Sequence, residues 1–301
     1  MNNFRRAAAA AFIGLFLQLI APSIAAAQAT GRAECLAMRS AFLARDVKFC
    51  ALLPPGYDAD KTQRFPVLYD LHGIGDNEQS LVRSGAFNVI EDLWEKHTIG
   101  EFVIVTPDAD SSFYVDSHDG RTRYEDFFMR EFLPFIEKRY RILPGRMNRG
   151  ISGISMGGYG ALHFAFKYPD RFGAVSAHSA SLMEKPPVSA VSDQAASMQL
   201  RFLGRVFGLP PDAAFWARNS PFTLARTRLR PGELQIYFDC GSEDDYGFDA
   251  GAKALDKLLT ARKIPHEFHI YPGKHDWIYF ASHLPASLAF HSRAFGLTTA
   301  H

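Results

Sequence analysis

Residues 149–161 read Arg149-Gly150-Ile151-Ser152-Gly153-Ile154-Ser155-Met156-Gly157-Gly158-Tyr159-Gly160-Ala161. An apolar run, Arg149–Ile154, enters a G-x-S-x-G sequence, and a helical stretch, Gly157–Lys167, follows. Strand, sharp turn and helix are expected in succession, with the serine on the turn. A turn this tight brings the positions two before and two after the serine together. Both must be small, and both are glycine, Gly153 and Gly157. The turn leaves the Ser155 hydroxyl exposed at the sheet edge, beside the positive end of the next helix. G-x-S-x-G alone is a common sequence. The strand before it and the helix after it give it weight here.

Outward from this turn, short apolar runs alternate with amphipathic stretches, which predicts a parallel α/β arrangement. The runs are Val47–Leu53, Val67–Leu71, Glu101–Thr106, Arg149–Ile154, Phe172–Ala177, Leu234–Cys240 and Glu267–Tyr271. The first two are expected at an antiparallel edge with the segment near Cys35–Ser40. The later runs lack strict alternation, as strands covered on both faces do. Helices are predicted over Asn77–His97, Tyr124–Arg139, Gly157–Lys167, Gly251–Arg262 and Trp277–Phe295, the last broken or kinked at Pro285. The stripe Phe127, Phe128, Phe132, Phe135 and Ile136 reads as core. The proline-rich stretch 181–232 reads either as a cap over a pocket or as surface helices with a small core of their own.

A serine hydroxyl is a weak nucleophile and needs a base, which in turn needs an orienting acid. The run Leu234–Cys240 ends in Gly241-Ser242-Glu243-Asp244-Asp245. A loop at the carboxyl end of a strand suits the acid, and Asp239, Glu243, Asp244 and Asp245 are the candidates. Six histidines follow: His266, His269, His275, His283, His291 and His301. His275 alone falls in a loop after the last strand and before a helix. The run Val67–Leu71 continues into His72-Gly73-Ile74-Gly75-Asp76. Such a loop can aim the Ile74 N–H at a developing oxyanion, with the Met156 N–H as second donor. His72 precedes the serine and reads as a support of that loop.

The chain has 301 residues, 47% hydrophobic and 22% charged, with 33 basic against 32 acidic side chains. That apolar content excludes a disordered chain, and the balanced charge offers no field for nucleic acid. Residues 1–29 carry Arg5 and Arg6, then an uncharged apolar run ending in Ala27-Gln28-Ala29. This is the pattern of a cleaved signal peptide, and it predicts a secreted or periplasmic protein with no stable membrane insertion afterwards. Cleavage would leave residues 30–301 as a single domain and, by removing two arginines, change the net charge from +1 to −1. An oxidising compartment permits a Cys35–Cys50 bridge, and Cys240 then reads as a buried inert thiol. No Cys/His spacing suggests a metal site.

Together these residues resemble the esterase D and antigen 85 superfamily of α/β-hydrolases. The matching pieces are Leu53-Pro54-Pro55-Gly56-Tyr57, Leu71-His72-Gly73, Ser112-Phe113-Tyr114-Val115-Asp116, Tyr124-Glu125-Asp126-Phe127, Ile154–Ala161, Gly241-Ser242-Glu243-Asp244 and His275-Asp276-Trp277. The resemblance implies an α/β-hydrolase fold, a mostly parallel central sheet with helices on both faces. It implies a carboxylic ester hydrolase acting on a small-molecule ester without metal or organic cofactor. It places the acid on Asp244, beside Ser155 and His275, and the oxyanion donors on Ile74 and Met156. Substrate contacts are expected from His72, Tyr114 and Trp277. The run Ser155–Ala161 is most similar to the tributyrin-esterase branch. The rival activities are an acyltransferase of the mycolyltransferase type, a thioesterase like S-formylglutathione hydrolase, and a serine peptidase. Export counts against the thioesterase, whose substrate is cytosolic. A non-catalytic binding protein need not keep all three residues. The oligomeric state is open.

Overall fold

The computed structural model describes residues 30–186 and 203–297. Eight strands form one sheet: β1 (Arg32–Arg39), β2 (Asp46–Leu53), β3 (Val67–Leu71), β4 (Val103–Pro107), β5 (Arg149–Gly153), β6 (Ala174–His178), β7 (Gln235–Gly241) and β8 (Glu267–Tyr271). Their spatial order is β1-β2-β4-β3-β5-β6-β7-β8. Strand β2 pairs antiparallel with β1 and β4, and the pairings from β4 to β8 are parallel. This corrects the expected place of Val67–Leu71. It lies inside the sheet between β4 and β5 rather than at the antiparallel edge. All five of its residues are buried, and the chain between β3 and β4 is long enough for the crossover that parallel neighbours require.

The helices are α1 (Pro55–Ala59), α2 (Ser80–Arg83), α3 (Ala86–Glu95), α4 (Tyr124–Phe127), α5 (Leu133–Arg139), α6 (Met156–Lys167), α7 (Ala213–Asn219), α8 (Pro221–Thr227), α9 (Phe248–Ala261) and α10 (Trp277–Ala294). The predicted helix over 77–97 is split into α2 and α3 at Gly85, whose φ of +81° a helix does not admit. The predicted helix over 124–139 contains a π-turn, Phe128–Phe132, between α4 and α5. Helix α10 runs through Pro285 unbroken, because Leu284 and Leu288 are buried on either side and their packing offsets the lost backbone bond.

Side chains alternate between the two faces of the sheet. Leu52, Leu68 and Ile104 pack with Ile90 and Trp94 of α3 and Leu284 and Leu288 of α10. Leu53, Tyr69, Val105 and Ile151 point the other way, into a cluster with Phe128, Phe132 and Phe164. Residues 187–202 of the 181–232 stretch lie outside the described residues. From the rest, Phe207, Trp216, Phe222 and Leu224 join this second cluster, so they build no separate core. Cys35 and Cys50 stand opposite each other on β1 and β2 and are disulfide-bonded, while Cys240 is free and buried. The expected signal segment, 1–29, lies outside the described residues. Among those residues no helix is long and apolar enough to cross a membrane.

Candidate active site

Strand β5 ends at Gly153 and helix α6 begins at Met156, so Ser155 sits on the turn between them at φ +57° and ψ −114°. A side-chain-bearing residue held there stores roughly 1–3 kcal/mol of strain. The surroundings enforce it. The Ser155 N–H donates to His178 O at 2.9 Å, and Ser155 O accepts from Tyr159 N–H and Ser181 N–H, both at 3.0 Å. The two glycines are sterically required. A Cβ on Gly153 would lie 2.8 Å from Gly158 N and closer still to Gly157, and one on Gly157 would lie 2.8 Å from His72 O and closer still to Leu71 O. The Ser155 hydroxyl is half-buried, with Ser181 Oγ 3.5 Å away.

The loops after β7 and β8 are zipped together: Ser242 N–H donates to Tyr271 O at 2.8 Å and Glu243 N–H to Gly273 O at 2.9 Å. This brings Asp244 Oδ2 within 2.7 Å of His275 Nδ1. Asp244 Oδ1 accepts from Tyr246 N–H at 3.0 Å and Phe248 N–H at 3.3 Å. Burial works to raise the Asp244 carboxyl, but the His275 bond and charge and these two amides hold it below the ordinary aspartate value. The other acid candidates sit elsewhere. Asp245 accepts the His275 backbone N–H at 3.4 Å, Glu243 is exposed, and Asp239 is buried against His178. The His275 ring meets the rings of Tyr246, Phe248 and Phe280 edge-on, with centroids 4.9, 5.4 and 5.3 Å away.

Ser155 and His275 line one cavity of about 380 Å³. Its walls are Gly73, Ile74, Ile154, Phe113, Met183, Tyr246, Phe248, Trp277 and Phe280, with Ser181, Asp76 and Asp276 as the other polar side chains. Among the described residues the charges of this lining are acidic, and no lysine or arginine contributes. Trp277 lines the cavity. Met156 is fully buried as the first residue of α6, and Ile74 stands at the loop after β3.

His72 and Tyr114 correct the expectation of substrate contact. Both are enclosed, 2% and 0% exposed. His72 Nε2 accepts from Ala109 N–H at 2.9 Å, so Nδ1 carries the proton and donates to Gly73 O at 2.8 Å. The Tyr114 hydroxyl donates to His72 O at 2.9 Å. These two side chains hold the Gly73–Ile74 loop from beneath, and the neighbouring Phe113 reaches the cavity instead. Phe113, Tyr246 and Phe248 lie within or beside motifs quoted above. Ser181, Met183 and Phe280 carry no sequence signal.

A buried polar layer lies behind the site. His178 Nδ1 is 2.8 Å from Asp239 Oδ2, an ion-pair contact rather than an aligned hydrogen bond. Ser287 donates to Leu284 O at 3.1 Å, and its Oγ lies 2.8 Å from His178 Nε2. Burial opposes both charges, yet the pairing keeps His178 above and Asp239 below their ordinary values. On the other sheet face Glu125 receives His163 Nε2 at 2.9 Å, Lys167 Nζ at 2.8 Å and the Tyr168 hydroxyl. His163 also bonds Asn219 O at 2.9 Å, which ties α6 to α4 and α7.

A mostly parallel sheet with helices on both faces, a strained serine at a strand-to-helix elbow and a later Asp–His loop pair define an α/β-hydrolase fold. The chain matches the family described as "Putative esterase" over residues 40–291, and it belongs to that family. An esterase of Mycobacterium tuberculosis is 31% identical over 246 residues, which cover 74% of this chain and 51% of that relative. The chain thus spans about half the length of the mycobacterial relatives it matches. An acetyl esterase of Caldicellulosiruptor saccharolyticus is 24% identical over 262 residues, 84% of this chain and 96% of the relative. A solved ferulic acid esterase superposes with a TM-score of 0.75 at 26% identity, covering 88% of this chain and 99% of that one.

Proposed function

We propose that the protein is an exported serine carboxylesterase that hydrolyses small carboxylic esters through an acyl-enzyme. One observation carries the reading: strained Ser155 and the Asp244-paired His275 line the same apolar cavity. Ser155 Oγ attacks the ester carbonyl carbon while His275 Nε2 takes its proton. The tetrahedral oxyanion is held by the main-chain N–H groups of Ile74 and Met156. Collapse expels the alcohol, which leaves with the proton from His275. Water then attacks the acyl-enzyme by the same route, releasing the acid and free Ser155. Asp244 orients His275 and stabilises its imidazolium. The residues named suffice without a metal or organic cofactor. The charge-free run in residues 1–29 supports export, and the Cys35–Cys50 bridge agrees with an oxidising compartment. Residues 30–301 form the esterase unit in this reading, and the 181–232 stretch contributes Ser181 and Met183 to the substrate wall.

The test is Ser155→Ala assayed with p-nitrophenyl esters from acetate to palmitate. The expected loss in kcat is on the order of 10⁴-fold or more, with an unchanged circular dichroism spectrum and no labelling by a fluorophosphonate. Retained hydrolysis would sink the assignment. Acyl transfer to added glycerol or trehalose in place of hydrolysis would redirect it to an acyltransferase.

A further inference from the structure

The four acid candidates include one, Asp239, that sits away from His275, on β7 and five residues before Asp244. It is 1% exposed and contributes nothing to the cavity wall, yet it contacts both halves of the site. Its Oδ1 accepts from the Tyr279 hydroxyl at 2.7 Å, and its Oδ2 pairs with His178. His178 is the residue whose backbone carbonyl holds the Ser155 N–H. The Asp239 carbonyl also receives the next amide of that segment, Ser179 N–H, at 2.8 Å.

Tyr279 leads to the other half. It lies in the first turn of α10, where its N–H donates to Asp276 Oδ1 at 2.9 Å. A Cβ on Gly273 would come within 2.7 Å of its ring. Tyr279 therefore touches the chain on both sides of His275. Each link is a single short contact in a site closed to water, where polar networks act as units.

Resting on the esterase reading, we infer that Asp239 and Tyr279 are positioning residues. Through His178 on one side and Tyr279 on the other, one carboxylate sets the elbow of Ser155 and the loop of His275 relative to each other. Neither side chain touches substrate. The Asp–His pairs at this place have separate tasks: Asp244–His275 moves the proton, and Asp239–His178 fixes where that transfer takes place.

Tyr279→Phe is the decisive variant, because it removes one hydroxyl and keeps the ring against Gly273. Three readouts are taken on the purified chain: kcat and KM for p-nitrophenyl acetate per labelled site, the rate of fluorophosphonate labelling, and the thermal midpoint. A sub-ångström misplacement of a reacting group predicts a fall in kcat of about tenfold, with KM within about twofold. Labelling should slow in parallel, since it needs the same Ser155–His275 alignment without substrate binding. Asp239→Asn should cost more, and the double variant no more than Asp239→Asn alone. A lower thermal midpoint with both rates unchanged would make the network merely structural and overturn the inference, while the active wild type would keep the esterase reading intact. A wild-type chain that neither hydrolyses esters nor labels would overturn both.

Discussion

Replacing Gly157 by alanine adds one methyl group at the most crowded point of the elbow. The new Cβ would stand 2.8 Å from His72 O and inside that distance from the Leu71 carbonyl, whereas real Cβ atoms keep at least 3.0 Å. All these obstacles are backbone of β3 and the loop that follows it, so no side chain can swing aside. Relief requires the elbow and β3 to separate by about 1 Å, which moves Ser155 away from the Gly73–Ile74 loop. A displacement of that size at reacting groups costs on the order of 10²-fold in rate. Overpacking of this kind costs about 1–3 kcal/mol of stability, and each kcal/mol lowers the thermal midpoint of a chain this size by about 2–4 °C. The assay is kcat for p-nitrophenyl acetate with a thermal melt on the same sample. Gly120→Ala is the control. Its φ of +69° strains alanine, but nothing lies within 4 Å of the added atom, so it should lose about 1 kcal/mol and no activity. A Gly157→Ala chain that melts with the wild type and turns over within threefold of it, roughly the scatter of such effects, would refute the steric account of the elbow.

Glu125→Gln leaves Lys167 and His163 without their shared carboxylate and should cost about 3–5 kcal/mol in urea unfolding. Burial opposes the Glu125 charge, but His163 and Lys167 prevail and hold it well below its ordinary value of 4.5. Its contribution is therefore full above that value and lost as pH falls further, and wild type and variant should converge in acid. Reducing the Cys35–Cys50 bond opens a closure of 15 residues and should lower the unfolding free energy by about 3 kcal/mol, with kcat unchanged. Asp76 and Asp276 at the cavity predict that an ester ending in a carboxylate has a lower kcat/KM than its neutral analogue. That gap should shrink in about 1 M salt, where the Debye length is about 3 Å; a gap insensitive to salt would point to shape instead.

The local chemistry of this chain is legible in its sequence because it is written in neighbours. Gly153, Ser155 and Gly157 announce an elbow, and His275 is distinguished from five other histidines by falling in a loop. Contacts that close over distance leave no such trace. Val67–Leu71 reads the same whether it lies at an edge or inside the sheet, since a fully buried run has no alternation to show its neighbours. His72 reads in the sequence both as a support of its loop and as a substrate contact, because its acceptor task depends on Ala109, 37 positions away. Tyr114 is hidden for the same reason, since its hydroxyl serves the His72 carbonyl, 42 positions away. The residues alone leave Asp239 and Asp244 as alternatives, which the resemblance resolves toward Asp244, but the task of Asp239 emerges only from the pairing of β6 with β7, which sets it opposite His178.

Strand β1 buries none of its eight residues, whereas five consecutive residues of its partner β2, Phe49–Leu53, are fully covered. Besides the ladder and the Cys35–Cys50 bond, β1 is held by the partly buried Met38 and by exposed or half-buried polar contacts, Arg32 with Asp58 and Glu34 with Tyr140. Were it to peel away, β2 would present an unpaired row of amides and carbonyls flanked by Val47 and Phe49. Such an edge recruits strands from other copies. The bond thus guards against self-association as well as unfolding: chains made in a reducing compartment should precipitate or form oligomers at concentrations where the oxidised protein stays dispersed.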